Sequence, residues 1–186
     1  EYTAGTGSVS KSFFNPLVES GATSGGEAAL YQNATWLYPY IAGYTSIFIS
    51  SCSLKYDTVD ATGFIGCAQD DASVVNKDDD SYSHAGFILY VNGATATVYA
   101  QSSAGAGGGA VEQTDLNLDP TNFATYCMLS DGAGHLYFYV DWVLKATHTT
   151  YLPSGTHAWK ISIVNAENSS NFVSARNFVY AHTPNS

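Results

Sequence analysis

One stretch constrains the fold of this chain more than any other: residues 135–149, reading His-Leu-Tyr-Phe-Tyr-Val-Asp-Trp-Val-Leu-Lys-Ala-Thr-His-Thr. Residues 136–140 are all apolar or aromatic, as in a strand buried on both faces or nearly so. Asp141-Trp142 interrupts the run, and β-formers resume at Val143. So short a link makes a hairpin whose register is set locally. The rest of the chain has the same character. Fourteen Tyr and nine Phe against one Met favour pleated sheets, because aromatics pack well on a pleated face. Strand candidates fall at 28–31, 36–41, 45–54, 61–68, 86–92, 94–100, 111–118, 123–129, 158–165 and 172–182. Asn92-Gly93 between two such runs signals a tight hairpin with both turn positions at positive φ. No segment keeps a helical period over three turns. This pattern predicts an all-β sandwich of two antiparallel sheets.

At 186 residues the chain supports one sizeable core, read as a single domain over 13–186 behind an extended arm or weak edge strand at 1–12. Only 12% of residues are charged, so the surface relies on Ser, Thr, Asn and Gly. A net charge of -10 with six Lys plus Arg excludes a nucleic-acid partner, which needs clustered cations. It equally disfavours an anionic membrane surface, and no apolar run is long enough to insert as a helix. The chain opens at Glu1-Tyr2 without a leader, as a mature secreted product does, and an extracellular location is expected. Asn33 and Asn168 begin glycosylation sequons.

From Gly86 onward the sequence resembles the concanavalin A-like lectin/glucanase (laminin G-like) superfamily. The residues that carry the likeness are Gly86-Phe-Ile-Leu-Tyr90, Phe138-Tyr-Val-Asp141 with Val143-Leu-Lys-Ala-Thr-His148, Trp159-Lys-Ile-Ser-Ile163 and Ala175-Arg-Asn-Phe-Val-Tyr180. The resemblance implies a two-sheet antiparallel jelly roll. The family usually has Gly after the hairpin Asp, where this chain has Trp142. Trp is costly at positive φ, so a bulged or different turn is expected there. Trp142 at such a tip is either an aromatic presented to a ligand or a cover for the sheet edge.

Glucanases of this superfamily carry E-x-D-x-x-E on one strand, placing acid and nucleophile on one face. The five Glu of this chain, at 1, 19, 27, 112 and 167, do not begin that pattern. Glu112 and Asp115, three apart, face opposite sides of a regular strand. The expectation is therefore a protein that is not an enzyme, with a glucanase-like hydrolase as the remoter alternative. None of the five histidines has a metal-site spacing, and local hydrogen bonding at strand ends is expected for them. Asp70, Asp71, Asp78, Asp79 and Asp80 form either a Ca²⁺ site or a solvated acidic loop. Cys52 and Cys67 lie in successive strand candidates, where a cross-strand disulfide is reasonable, although three pairings are open. Cys127 reads as a buried, inert thiol. Trp36, Tyr38, Tyr40 and Tyr44 cluster around Pro39, either as a glycan platform or as core.

These readings converge on an extracellular structural or adhesive subunit that self-assembles as a filament, sheath or virion exterior. Its arm, with Tyr2, Val9 and Phe13, would be donated as a strand to a neighbouring copy. The alternative is a carbohydrate-binding, lectin-like module contacting glycans through Trp142, Trp36, Tyr38 and Tyr40, with Ca²⁺ as its cofactor.

Overall fold

A strand with one apolar face must bury it against a second layer, and this chain does so by stacking two sheets. The computed structural model describes residues 8–10, 17–20, 25–31, 37–55, 60–69, 75–105, 110–165 and 171–185. In chain order the strands are β1 (Ser8–Ser10), β2 (Leu17–Glu19), β3 (Glu27–Tyr31), β4 (Tyr44–Lys55), β5 (Asp60–Ala68), β6 (Ser83–Asn92) and β7 (Thr95–Ala104). They continue as β8 (Val111–Asp115), β9 (Ala124–Ser130), β10 (Leu136–Val140), β11 (Val143–His148), β12 (Ala158–Asn165) and β13 (Phe172–Pro184). Seven form one sheet in the order β1-β2-β13-β4-β9-β10-β11, and six form the other as β3-β12-β5-β6-β7-β8. The pairings are antiparallel, and no helix occurs among the described residues. This is the expected jelly-roll sandwich.

The core lies between the sheets. Phe87 of β6 sits at its centre, its ring 4.9 Å from Tyr126 of β9 and 5.4 Å from Phe138 of β10. Ile65, Leu89, Val98 and Ile161 add the six-stranded side, and Phe48, Leu54, Leu136 and Val173 the other. Gly63 is where the two layers touch: a Cβ there would lie 2.7 Å from a Val173 methyl. A second, smaller cluster of Phe64, Ala68, Val75 and Ile88 lies on the outer face of the six-stranded sheet. It explains why β6 is buried from Ser83 to Leu89 instead of alternating.

Several expectations are corrected here. The described part of the run at 36–41, residues 37–41, forms no strand: Leu37 makes a single bridge to His157, and Pro39 lacks the N–H that a ladder needs. Cys52 and Cys67 are not joined. Both are free and buried in the core, on strands of opposite sheets and not on paired neighbours within one sheet. The second hairpin turns at Gly93-Ala94, since Asn92 pairs with Thr95; Gly93 takes φ 57°, and Asn92 stays in the strand. For residues 1–12 the edge-strand alternative holds where the chain is described: Ser8–Ser10 pairs with β2 at the edge of the chain's own sheet, and Tyr2 and Phe13 lie outside the described residues. The C-terminal segment is also held internally. Asn185 donates its backbone N–H to Gly43 O and its Nδ2 to Asp131 O, and accepts Thr45 Oγ1–H.

The turn at Asp141-Trp142 is a tight two-residue link after all, with both residues at positive φ (49° and 67°). The bulge sits further down the hairpin, at Phe138/Tyr139. Trp142 is thus a bulky residue in the left-handed region and two-thirds exposed, at 67%. Replacing it by glycine relieves that strain, so Trp142→Gly is expected to stabilise the fold by about 1 kcal/mol, read as a raised urea midpoint.

Candidate functional site

Because side chains alternate, the outer face of the six-stranded sheet is built from residues that the core does not use. Register lines them up across five strands: Lys160, Gly66, Gly86, Gln101 and Gln113 in one row; Ser162, Phe64, Ile88, Tyr99 and Asp115 in the next. A third row runs Val164, Thr62, Tyr90 and Thr97. Gly66 and Gly86 pair beneath the Phe64 ring. A Cβ on Gly86 would meet Ile65 O at 2.4 Å and the ring at 2.7 Å, so only glycine allows this approach.

At the third row the face opens into a cleft of about 420 Å³, within the range of small-molecule sites. Its walls are Asp60, Thr62, Tyr90, Asn92, Val164 and Asn165 from the strands, with Gly25 and Asn76 from loops. Asp60 Oδ1 accepts the Gly93 N–H at 3.0 Å, leaving Oδ2 for a ligand. Asn92 Nδ2 donates to the Tyr90 hydroxyl at 3.0 Å and fixes that ring. Asn165 Oδ1 accepts Asn171 Nδ2 at 3.0 Å at the buried end. One carboxylate, several amides and an aromatic ring make a site for a polar ligand with an apolar face. Among the described residues Asp60 is the only acidic one in its walls.

Residues 75–82 cover the first two rows. Val75 is buried against Phe64 and Ile88, and its N–H donates to Ser162 Oγ at 3.3 Å. Lys77 pairs with Asp78 and sets its ammonium 5.8 Å and 5.1 Å from the Tyr90 and Tyr99 ring centres. The Asp78 carboxylate holds the Lys77 pKa above its ordinary value.

The histidines do more than bond locally. His157 is fully buried: Nδ1–H donates to Gly155 O, so Nε2 accepts the Ser83 hydroxyl at 2.9 Å. His148, also fully buried, ties the sheets together, 2.9 Å from Ser102 Oγ and 3.2 Å from Thr114 Oγ1. Burial lowers the pKa of each to about 4, with Glu112 opposing the shift at His148. Glu112 itself accepts the Thr149 and Thr150 N–H groups and the Thr150 hydroxyl, and these bonds hold its carboxyl pKa below the usual value against burial. Ser102, His148 and Glu112 have the elements of a nucleophile relay, but Ser102 and His148 are sealed from solvent.

The predicted site residues are not brought together. Trp142 lies at the hairpin tip of the seven-stranded sheet, while the cleft opens on the outer face of the other. Trp36 lies outside the described residues. Tyr38 is pinned by its backbone to the Tyr180 hydroxyl and stands near His182 and Tyr44 at the end of the sandwich; Tyr40 is half-buried nearby in sequence. Of the acidic run, Asp70 and Asp71 lie outside the described residues. Asp78 pairs with Lys77, and Asp79 caps the Ser81 N–H at 2.9 Å. Among the described residues no three acidic, His or Cys side chains converge as metal ligands. Sequence reading missed Asp60, Tyr90, Asn92 and Asn165 as site residues, because they sit on strands that only folding makes neighbours.

No protein-family model matches the chain, and no curated protein matches it. Solved structures do. The carbohydrate recognition domain of Emp47p superposes with a TM-score of 0.66 at 12% identity, over 100% of this chain and 88% of that one. Alginate lyase AlyC3 in complex with dimannuronate gives 0.64 at 10% identity, over 92% and 76%. A Bacillus licheniformis β-glucanase gives 0.60 at 16% identity, over 96% and 90%. Such identities establish shared fold and nothing finer. They also overturn the expectation of a non-enzyme drawn from the missing E-x-D-x-x-E, because the structures this chain resembles include a lyase and a glucanase alongside a lectin domain. The fold read from the second half of the sequence extends along the chain: it is a two-sheet jelly-roll sandwich similar in fold to these lectin domains and glucanases.

Proposed function

We infer that this protein binds carbohydrate in the Asp60 cleft. The observation that carries the reading is the pairing of a half-satisfied carboxylate with amides and a tyrosine ring in one opening on the sheet face. A sugar ring presents hydroxyl donors on its rim and C–H groups on its faces, which suits Asp60 Oδ2 and the amides for the one and Tyr90 for the other. The carbohydrate recognition domain and the dimannuronate-bound lyase among the similar structures support this class of ligand. A surface of uncharged polar residues, with only 12% charged residues in the chain, suits an exported protein of this kind.

The test is a glycan array followed by calorimetric titration, with and without chelator to expose any Ca²⁺ requirement, and with the bound glycan checked for cleavage. Asp60→Ala is expected to weaken binding about 10- to 100-fold, the worth of a charge-assisted hydrogen bond. Trp142→Ala is expected to leave it unchanged. The reverse pattern would move the site to the hairpin tip.

A second reading, self-association, is favoured by one observation. The edge strand β11 exposes Val143 and Leu144 beside Trp142, at 56%, 49% and 67%. Sedimentation of the protein against its Trp142→Gly, Leu144→Thr double variant would report it as a loss of oligomer.

A further inference from the structure

The outer face of a two-layer sandwich is ordinarily wet, yet here it holds some of the most deeply buried polar groups in the molecule. His84, Gln101, Ser103 and Lys160 have no exposed surface. Residues 75–82 lie across that face, and the bonds that hold them converge on Gln101. Gln101 Nε2 donates to Asn76 O at 2.9 Å, and its Oε1 accepts the Asp78 N–H at 3.0 Å. His84 sets the orientation of this amide. Its Nδ1–H donates to Tyr82 O, so its Nε2 accepts the second Gln101 hydrogen at 2.8 Å. Gln113 Nε2 fills the remaining lone pair of Oε1. Every hydrogen-bonding position of Gln101 is therefore used, half of them by the covering segment.

We propose that residues 75–82 are a lid over the continuation of the Asp60 cleft, latched by Gln101, and that they lift to admit an oligosaccharide. The inference rests on the carbohydrate reading and names how that site is extended and gated. Asn76 belongs both to the cleft wall and to the latch, so the cleft stops where the lid begins. Beneath the lid the floor continues in the same chemistry, with Tyr99, Gln101 and Gln113 following Tyr90 across the register. The lid's apolar anchoring is slight: Val75 is fully buried and Tyr82 packs partly buried against the same cluster. Its bonds to Gln101, Ser162 and the His84 Nδ1–H are of a kind that sugar hydroxyls replace one for one, so lifting it over a bound chain leaves no buried polar group unpaired once each is replaced.

Amide hydrogen exchange on the ligand-free protein tests the lid without any sugar. The Val75 and Asp78 amides are expected to exchange by local opening, about tenfold or more faster than the Phe87 and Leu89 amides of β6. Gln101→Leu is expected to speed them about tenfold again while the β6 amides hold their rates. Titration with gluco- and mannuronate oligomers of one to six sugars then reads the gate. Val75→Ala, which loosens the lid's apolar anchor and keeps the Gln101 floor intact, should tighten the longer oligomers about fivefold and leave the single sugar unchanged. Val75 and Asp78 exchanging in step with Phe87 and Leu89 would overturn the proposal, since the segment would then leave only on unfolding. Fast local exchange with no oligomer bound by either form would instead overturn the carbohydrate reading of the cleft.

Discussion

Between pH 6.5 and pH 4 the folded protein is expected to lose about 6 kcal/mol of stability, through two histidines that the sandwich holds neutral. His148 and His157 are buried with pKa values near 4, whereas an unfolded chain protonates histidine near pH 6.5. Within that window the unfolded chain binds protons that the folded one refuses. Acid therefore favours unfolding, by about 3 kcal/mol per histidine, and their effect is complete once pH passes below the folded value. His84, whose pKa burial also lowers, adds in the same direction. Further loss below pH 4 comes from Asp131 and Glu112. Their carboxyl pKa values are held low by hydrogen bonds, so they stabilise the fold until acid neutralises them. Against a typical total of about 5–15 kcal/mol, the histidine loss brings the protein close to its unfolding midpoint. Urea unfolding at pH 7, 5.5 and 4 measures it. His157→Gln is expected to flatten the slope by about half. A stability flat down to pH 4.5 would mean that both imidazoles are protonated in the fold.

Phe87→Ala is expected to cost about 3–5 kcal/mol, the most of any single truncation in the core. Phe87 is fully buried and is the residue whose ring meets both Tyr126 and Phe138, so it joins the two layers. Its backbone is fixed between Ile65 and Ala100, which leaves the cavity little scope to collapse. The urea midpoint should fall with the slope of the transition unchanged. Phe87→Leu should recover more than half of the loss. A cost under about 1 kcal/mol for Phe87→Ala would place the centre of the core elsewhere.

Much of the fold was legible because its signals are local. The hairpin at 135–149 declares itself by two β-rich runs two residues apart, and it forms as β10 and β11. Its turn was misjudged. Sterics argue against a Trp at positive φ, but the closely paired strands hold Asp141 and Trp142 there, and the bulge takes up register at Phe138/Tyr139. The run at 36–41 failed for the opposite reason: its composition suits a strand, but Pro39 and the lack of a continuous neighbour leave only the Leu37 bridge. Strands β1 and β2, three residues each, are too short to show a period.

The site was far less legible. Sequence adjacency put Cys52 with Cys67 and grouped Trp36, Tyr38 and Tyr40 around Pro39 as a ligand surface, with Trp142 added from its turn. Folding sends the cysteines to opposite sheets and leaves the cleft to Asp60, Tyr90, Asn92 and Asn165. The sequence by itself determined the secondary structure class, the hairpins and the two-layer architecture, since alternation and turn chemistry act over a few residues. Only the tertiary structure decided which polar side chains meet, which histidines lose their charge and what covers the sheet face. Those depend on register between strands far apart in the chain, and no local preference encodes it.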